Sequence, residues 1–187
     1  MKSPLFLLLV SLSATAFCQS KEPQFKNYQV GYFGKSAFHP GIKASASIYE
    51  STWSRKQEKQ FNVSPMVGFY YHKGNHTGIF VGTETSYRVI YKNGFAWEVY
   101  AGVAYLRTFL AGHTYEVDSE GNVSSVPLAG SNQFMPSLGI GFGKQNPQWK
   151  KLERVYGRVG GYFQYPYNTK WLPNLNIEVG ISFKTKK

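Results

Sequence analysis

The feature that most constrains this chain is an alternation of apolar residues with polar or small ones, repeated over most of its length. In residues 79–91, for example, Ile79, Val81 and Val89 share one parity, and Glu84 and Arg88 share the other. A period of two is typical of a β-strand whose two faces meet different surroundings. Beyond residue 40 no sustained helical periodicity appears, and eight candidate strands follow one another: 42–48, 61–71, 79–91, 95–105, 109–117, 134–142, 155–165 and 175–183.

The length of these segments favours one kind of sheet. Strands in soluble sheets usually have about five or six residues, whereas a tilted strand that crosses a bilayer needs about 9–11. Eight is also the smallest strand count that is usual for barrels in the bacterial outer membrane. We therefore predict an all-β fold, a closed antiparallel up-and-down transmembrane β-barrel of about eight strands.

The composition of the two faces indicates which one is inside. One parity is apolar and aromatic, while the other alternates glycine, serine and tyrosine with charged residues. Small and polar groups suit the narrow lumen of an eight-stranded barrel, with the apolar band facing lipid. This assignment points Trp97, Val99 and Val103 towards lipid. A soluble lipocalin-like barrel would reverse the two faces, and parity alone leaves that alternative open.

The turn after residue 91 predicts a register. Tyr91 and Phe95 share a face only if an odd number of residues separates them, and a three-residue loop with Gly94 in the left-handed conformation fits. Arg88 then lies opposite Glu98 on the inner face. Further charges of the inner parity extend this pair into a lumenal charge network, which we interpret as a plug. A gate or an acid–base site is the alternative. The predicted network comprises Lys43, Glu84, Arg88, Glu98, Arg158 and Glu178.

The predicted strands also assign the connections to the two sides of the membrane. With the N-terminus in the periplasm, the outward connections are 51–60, 92–94, 118–131 and 166–173. Aromatic residues near their ends predict a girdle at the membrane surface, formed by Trp53, Tyr91, Phe95, Trp97, Tyr167 and Trp171.

Residues 1–18 have the organisation of a secretory signal peptide. Lys2 precedes an apolar stretch at 4–12, about half the ~20 residues that a membrane-spanning helix needs. Cleavage after Cys18 leaves an N-terminal periplasmic segment, 19–40, ahead of a barrel at 41–187. Lipidation of Cys18 is the alternative, although the small residue expected before a lipidated cysteine is absent.

Composition limits the kinds of bond and partner that this chain can have. The only cysteine is in the predicted signal peptide, so the mature chain has no disulfide and no thiolate ligand. The formal charge of +11 would suit binding to nucleic acid, but a nucleic-acid partner is hard to reconcile with export. Attraction to the phosphates of outer-membrane lipid and lipopolysaccharide fits the compartment. Lysines that merely solubilise loops would explain the charge equally well.

No motif for catalysis or for a metal or cofactor stands out. The histidines at 39, 72, 76 and 113 lack a spacing with carboxylates that would suit a metal, and His72 and His76 need not converge across their turn. The glycine-rich run at 139–143 lies in an alternating strand without a following helix. It therefore predicts packing in the lumen and not a phosphate loop.

The alternating segments and the signal peptide resemble those of the small outer-membrane β-barrel proteins of Gram-negative bacteria, the OmpA-like barrel class, over nearly all of residues 41–184. The signal ending at 17–19 is similar to those common in Bacteroidota. The resemblance implies recognition by the barrel-insertion machinery, often through a final aromatic residue. Phe183 closes the last apolar series here, but four residues follow it.

The sequence supports three hypotheses about function. The first is a monomeric, non-enzymatic outer-membrane barrel with a structural or surface-interaction role and a charge-plugged lumen. The second is an outer-membrane enzyme that modifies lipid or lipopolysaccharide, for which His113, Glu116 and the inner carboxylates are the candidates. The third is a soluble periplasmic lipocalin-like binder.

Overall fold

The computed structural model describes residues 25–36, 38–54, 57–112, 114–146 and 148–185. The described residues contain no helix that is long and apolar enough to cross a membrane. Their strands are β1 (Asn27–Lys35), β2 (Gly41–Ser47), β3 (Tyr49–Ser54), β4 (Glu58–His72), β5 (His76–Ile90), β6 (Phe95–Leu110), β7 (Thr114–Val117), β8 (Val123–Val126), β9 (Asn132–Gln145), β10 (Leu152–Tyr167) and β11 (Lys170–Lys184).

Nine of these strands form one antiparallel sheet that closes on itself. The sheet runs in the order β2-β1-β11-β10-β9-β6-β5-β4-β3, and β2 also pairs with β4, which completes the ring. β2 and β3 together count as one strand of the barrel. Both pair with β4, one on each side of a bulge at Ile48. The barrel therefore has eight strands, and the predicted fold class is confirmed.

The first barrel strand begins earlier than predicted. Residues 19–40 were expected to form a periplasmic segment before a barrel at 41–187, but Asn27–Lys35 is strand β1, which pairs with β2 on one side and β11 on the other. The physical reason lies in Phe33, which is apolar but points into the lumen beside the outward Tyr32, so the alternation is blurred. Residues 1–24, with the predicted signal peptide, lie outside the described residues.

The segment 109–117 is not a barrel strand of its own. Its first residues end β6, and its last residues form β7, which pairs only with β8 in a separate two-stranded sheet. The apolar parity continues through the Ala111-Gly112 bend, so alternation does not reveal where the chain leaves the barrel. The strand count was right because this error offset the omission of β1.

The shifted strand order changes the predicted topology. One end of the barrel, called here the terminal end, carries the start of β1, the end of β11 and the connections β3–β4, β5–β6 and β9–β10. The opposite end, called the hairpin end, carries the connections β1–β2, β4–β5 and β10–β11 and the β7–β8 hairpin. The predicted outward set mixed these ends, and so did the predicted girdle. Four of its residues lie at the terminal end, and Tyr167 and Trp171 lie at the hairpin end.

Each end of the exterior has an aromatic belt. At the terminal end Tyr87 contacts both Trp53 and Trp97, with ring centroids 6.0 and 6.3 Å away. At the hairpin end Trp171 stacks on Tyr165 with a centroid separation of 4.7 Å. Aromatic rings at both edges of an apolar band are typical of a barrel that crosses a bilayer.

The exterior between these belts is apolar and the interior is polar. Val103, Ile140 and Val179 are 51%, 51% and 55% exposed on the outside, whereas Arg88 and Glu98 are 1% and 0% exposed within. The reversed arrangement, expected of a soluble lipocalin-like barrel, is therefore not the one in the structure. We take the parts of the strands that carry this band as the membrane-spanning segments. At the hairpin end, the membrane-spanning segments of β1 and β4 stop at Tyr32 and Tyr71, and that of β5 starts at Ile79.

Candidate functional site

The candidate site is the lumenal charge network, and Glu98 of β6 is one of its two centres. The hairpin before it has the predicted register, in which Arg88 is paired with Glu98 and Gly94 has a φ of +79°. Arg88 Nε lies 3.0 Å from Glu98 Oε2, and Arg158 Nε lies 2.6 Å from Oε1. Gln60 accepts a further hydrogen bond from Arg88 Nη1 at 2.9 Å.

The second centre joins strands from the opposite sides of the barrel. Lys43 Nζ lies 2.7 Å from Glu84 Oε2 and 3.0 Å from Glu178 Oε1. Arg158 links the two centres, because its Nη1 lies 2.7 Å from Glu84 Oε1. The structure thus brings all six predicted network residues together, although they come from five strands.

The prediction missed one member of the network. Arg154 Nη1 lies 2.9 Å from Glu98 Oε2, and the side chain is 1% exposed. This contact is an ion pair, and the three guanidinium nitrogens of Arg154 have no hydrogen-bond partner among the described residues. Arg154 shares the inner parity of Arg158, but it precedes the predicted start of that strand. Within the described residues the network holds four cations and three carboxylates.

Glycines leave room for the network, and a tyrosine ring covers it. A Cβ at Gly141 would lie 2.8 Å from Arg158 Cγ and 3.0 Å from Glu98 Cγ, and one at Gly139 would lie 2.6 Å from the Tyr100 hydroxyl. The glycine-rich run 139–143 therefore packs against the lumen contents, as predicted. The Arg158 guanidinium stacks on Tyr100, with its central carbon 4.9 Å from the ring centroid, a cation–π contact.

An apolar layer fills the lumen between the network and the hairpin end. Its buried side chains are Phe33, Met66, Tyr70, Phe80, Ala104, Leu106, Met135 and Tyr162. The cavity that remains between this layer and the network has a volume of about 10 Å³. That volume holds about one water molecule. Charges and aromatic rings together therefore close the barrel.

The described histidines converge at the hairpin end, which sequence reasoning did not anticipate. The ring centroids of His39 and His72 are 3.7 Å apart, and those of His72 and His76 are 5.2 Å apart. His76 Nε2 lies 3.3 Å from Lys35 Nζ and 3.3 Å from the Tyr70 hydroxyl. No group of three or more potential ligands among the described residues has the geometry to hold a metal ion.

Among the residues suggested for lipid-modifying chemistry, the inner carboxylates belong to the charge network and Glu116 does not. Glu116 is exposed on β7, in the hairpin outside the barrel. His113 lies outside the described residues. The inner carboxylates Glu84, Glu98 and Glu178 are buried and paired with cations.

Comparison with known proteins identifies the fold. No family model matches the sequence, and no curated protein matches it. Among solved structures, Neisserial surface protein A is 10% identical with a TM-score of 0.50, and the match covers 86% of this chain and 96% of that one. The outer membrane enzyme PagL is also 10% identical with a TM-score of 0.50, covering 85% of this chain and 99% of that one.

A further match has a TM-score of 0.49. It is the N-terminal β-barrel domain of Pseudomonas aeruginosa OprF, 15% identical over 87% of this chain and 100% of that one. The two matches at 0.50 share the small outer-membrane barrel fold. By fold this chain is therefore an outer-membrane β-barrel, and its apolar exterior gives the physical reason why it belongs in a membrane.

Proposed function

We propose that this chain is a closed, non-enzymatic barrel of the outer membrane, with a structural or surface-interaction role. The observation that carries the proposal is the charge network, whose two centres are linked by Arg158 and which spans the lumen. Each carboxylate lies between cations, so these groups hold one another and not a substrate. The network closes the lumen together with the apolar layer, and we propose that the barrel does not conduct ions.

The surface-interaction role is supported by the β7–β8 hairpin. This hairpin extends beyond the barrel and leaves Val117 and Val123 exposed by 62% and 66%. Long extracellular connections are typical of outer-membrane barrels, whose periplasmic turns are short. We therefore orient the hairpin end outwards and the terminal end towards the periplasm.

The same architecture supports the partners that we propose. The apolar exterior is solvated by outer-membrane lipid, and its outward edge meets lipopolysaccharide. Insertion requires the barrel-insertion machinery, and the closed sheet leaves no edge through which copies would pair, so we propose a monomer. Export makes nucleic acid an unsuitable partner, and the network needs no cofactor.

The test combines location with conductance. The full chain, expressed with its leader, should fractionate with outer membranes and migrate differently on gels before and after heating, because the closed barrel resists detergent. In planar bilayers the folded protein should give no discrete channel events at neutral pH.

Two results would contradict the proposal. Recovery as a soluble periplasmic protein without a mobility shift would exclude the membrane barrel. Regular channel openings by the wild-type protein would leave the membrane location intact but exclude the plugged lumen.

A further inference from the structure

A polar pocket opens in the mouth of the barrel at the hairpin end. It lies between the ends of β5, β6, β9 and β10 and has a volume of about 300 Å³. Small-molecule sites begin at about this size. Its walls are mostly amides, hydroxyls and rings, among them His76, Ser131, Gln133 and Gln164.

The floor of the pocket offers buried groups that can form hydrogen bonds. Gln133 is 4% exposed, and its Oε1 has no hydrogen-bond partner among the described residues, while its Nε2 donates to Ser131 Oγ at 2.8 Å. Gln164 is 1% exposed and is fixed by bonds to Tyr70 and Asn174. An unpaired buried carbonyl is costly, so a ligand hydroxyl donating to Gln133 would remove that cost.

A buried positive charge lies behind the pocket. Lys35 is 5% exposed and has no ion pair among the described residues. Its ammonium contacts His76 Nε2 at 3.3 Å and lies 4.8 Å from the centroid of the Tyr70 ring. His39 and His72 complete its surroundings, and none of the described residues that line the pocket is acidic. A buried cation without a counter-ion is unfavourable, so an anion bound at the pocket wall formed by His76 would supply the missing charge.

We propose that this pocket binds a sugar that carries one acidic group. The hydroxyl groups of the sugar bind the amides of Gln133 and Gln164, which offer both donors and acceptors. The carboxylate or phosphate lies at the wall formed by His76, where the charge of Lys35 acts across a short distance in surroundings of low dielectric constant. This site is separated from the charge network by the apolar layer, so it does not depend on the plug.

Titration calorimetry on the full barrel folded in neutral detergent micelles tests the proposal. The probes are galacturonic acid, glucose 1-phosphate, uncharged galactose and inorganic phosphate. We expect both acidic sugars to bind at least about tenfold more tightly than galactose, as one charged contact provides. Inorganic phosphate should bind more weakly than glucose 1-phosphate. Tighter binding of one acidic sugar would distinguish a carboxylate site from a phosphate site.

Two substitutions separate the contribution of the Lys35 charge to binding from that of the Gln133 amide. Lys35→Met keeps the buried stem and should reduce the affinity for acidic sugars by about tenfold or more, without changing that for galactose. Lys73→Met removes an exposed lysine at the same end and is the matched control. Gln133→Leu should weaken acidic sugars and galactose alike, and it keeps the test informative if Lys35→Met fails to fold.

Three outcomes would overturn the proposal. One is equal affinity for galactose and galacturonic acid. Another is an equal effect of Lys73→Met and Lys35→Met, which would indicate only long-range attraction. The last is the absence of binding by every probe at tens of millimolar. Because the measurement uses folded barrel in micelles, its failure would leave the location and the closed lumen untouched.

Discussion

At the scale of single residues, Glu98 shows how a buried charge can be stable. Its carboxylate lies within 3.0 Å of three guanidinium groups, those of Arg88, Arg154 and Arg158. Removing one partner from such a group leaves the others buried and uncompensated, which costs about 3–5 kcal/mol. Glu98→Ala should therefore lower the free energy of unfolding by that amount, measured by urea unfolding in micelles.

The control for this substitution is Glu116→Ala on the exposed strand β7. It removes the same group where solvent surrounds it, so the free energy of unfolding should change by less than about 0.5 kcal/mol. Equal losses in the two variants would show that the contacts of Glu98 do not stabilise the barrel.

His76 should respond to pH at the hairpin end, outside the membrane-spanning segments. Burial, followed by the nearby charges of Lys35, His72 and His39, lowers the pKa of His76 to about 4. An unfolded chain binds this proton near pH 6.5, so the contribution of His76 to stability should fall as the pH drops from about 6.5 to 4 and stay constant below that. Imidazole NMR should show His76 titrating near pH 4.

Replacing Lys35 provides the check on this assignment. Lys35→Met removes one of the charges that oppose protonation, so the titration midpoint of His76 should rise. A wild-type midpoint at 6.5 or above would contradict the burial and the contact with Lys35.

The sequence predicted the Arg88–Glu98 pair but not the contact between Lys35 and His76. Arg88 and Glu98 could be paired because a short turn of known length relates their positions. Lys35 and His76 meet through β1, which was not recognised, and through a closure that joins distant parts of the chain. The parity of a residue indicates the face on which it lies but not its position along the barrel axis. The alternation therefore could not predict contacts across the lumen.

At the scale of elements, the turn 91–94 combines a left-handed backbone with a close approach. Gly94 has a φ of +79°, and a Cβ there would lie 2.1 Å from the carbonyl oxygen of Gln145. Gly94→Ala should therefore lower the free energy of unfolding of the barrel by at least about 1–2 kcal/mol, the backbone cost alone. Urea unfolding in micelles measures it.

Gly121 in the β7–β8 hairpin offers a matched comparison. It has a similar φ of +85°, but nothing lies within 4 Å of a Cβ placed there. Gly121→Ala should leave barrel stability within about 0.5 kcal/mol of wild type, because this hairpin pairs only with itself. If the two alanine variants are equally stable, Gly94 is not needed for the stability of the barrel.

At the scale of the whole molecule, the orientation can be tested because the only cysteine is Cys18. Single cysteines can be introduced by Ser124→Cys in the hairpin and by Asn93→Cys in the turn at the terminal end. A membrane-impermeant maleimide added to intact cells should label the first variant and not the second. After the outer membrane is permeabilised, both should react. The reverse pattern would invert the proposed orientation.

The pairing of β1 with β11 has a consequence for how the molecule is assembled. Every residue of β1 has a partner in the last strand, so the ring cannot close while the C-terminus is still being synthesised. Pairing between chain ends is slow to form, and until it forms both neighbouring edges are open to other chains. We therefore expect the unfolded polypeptide to need shielding from other chains until β1 and β11 have paired.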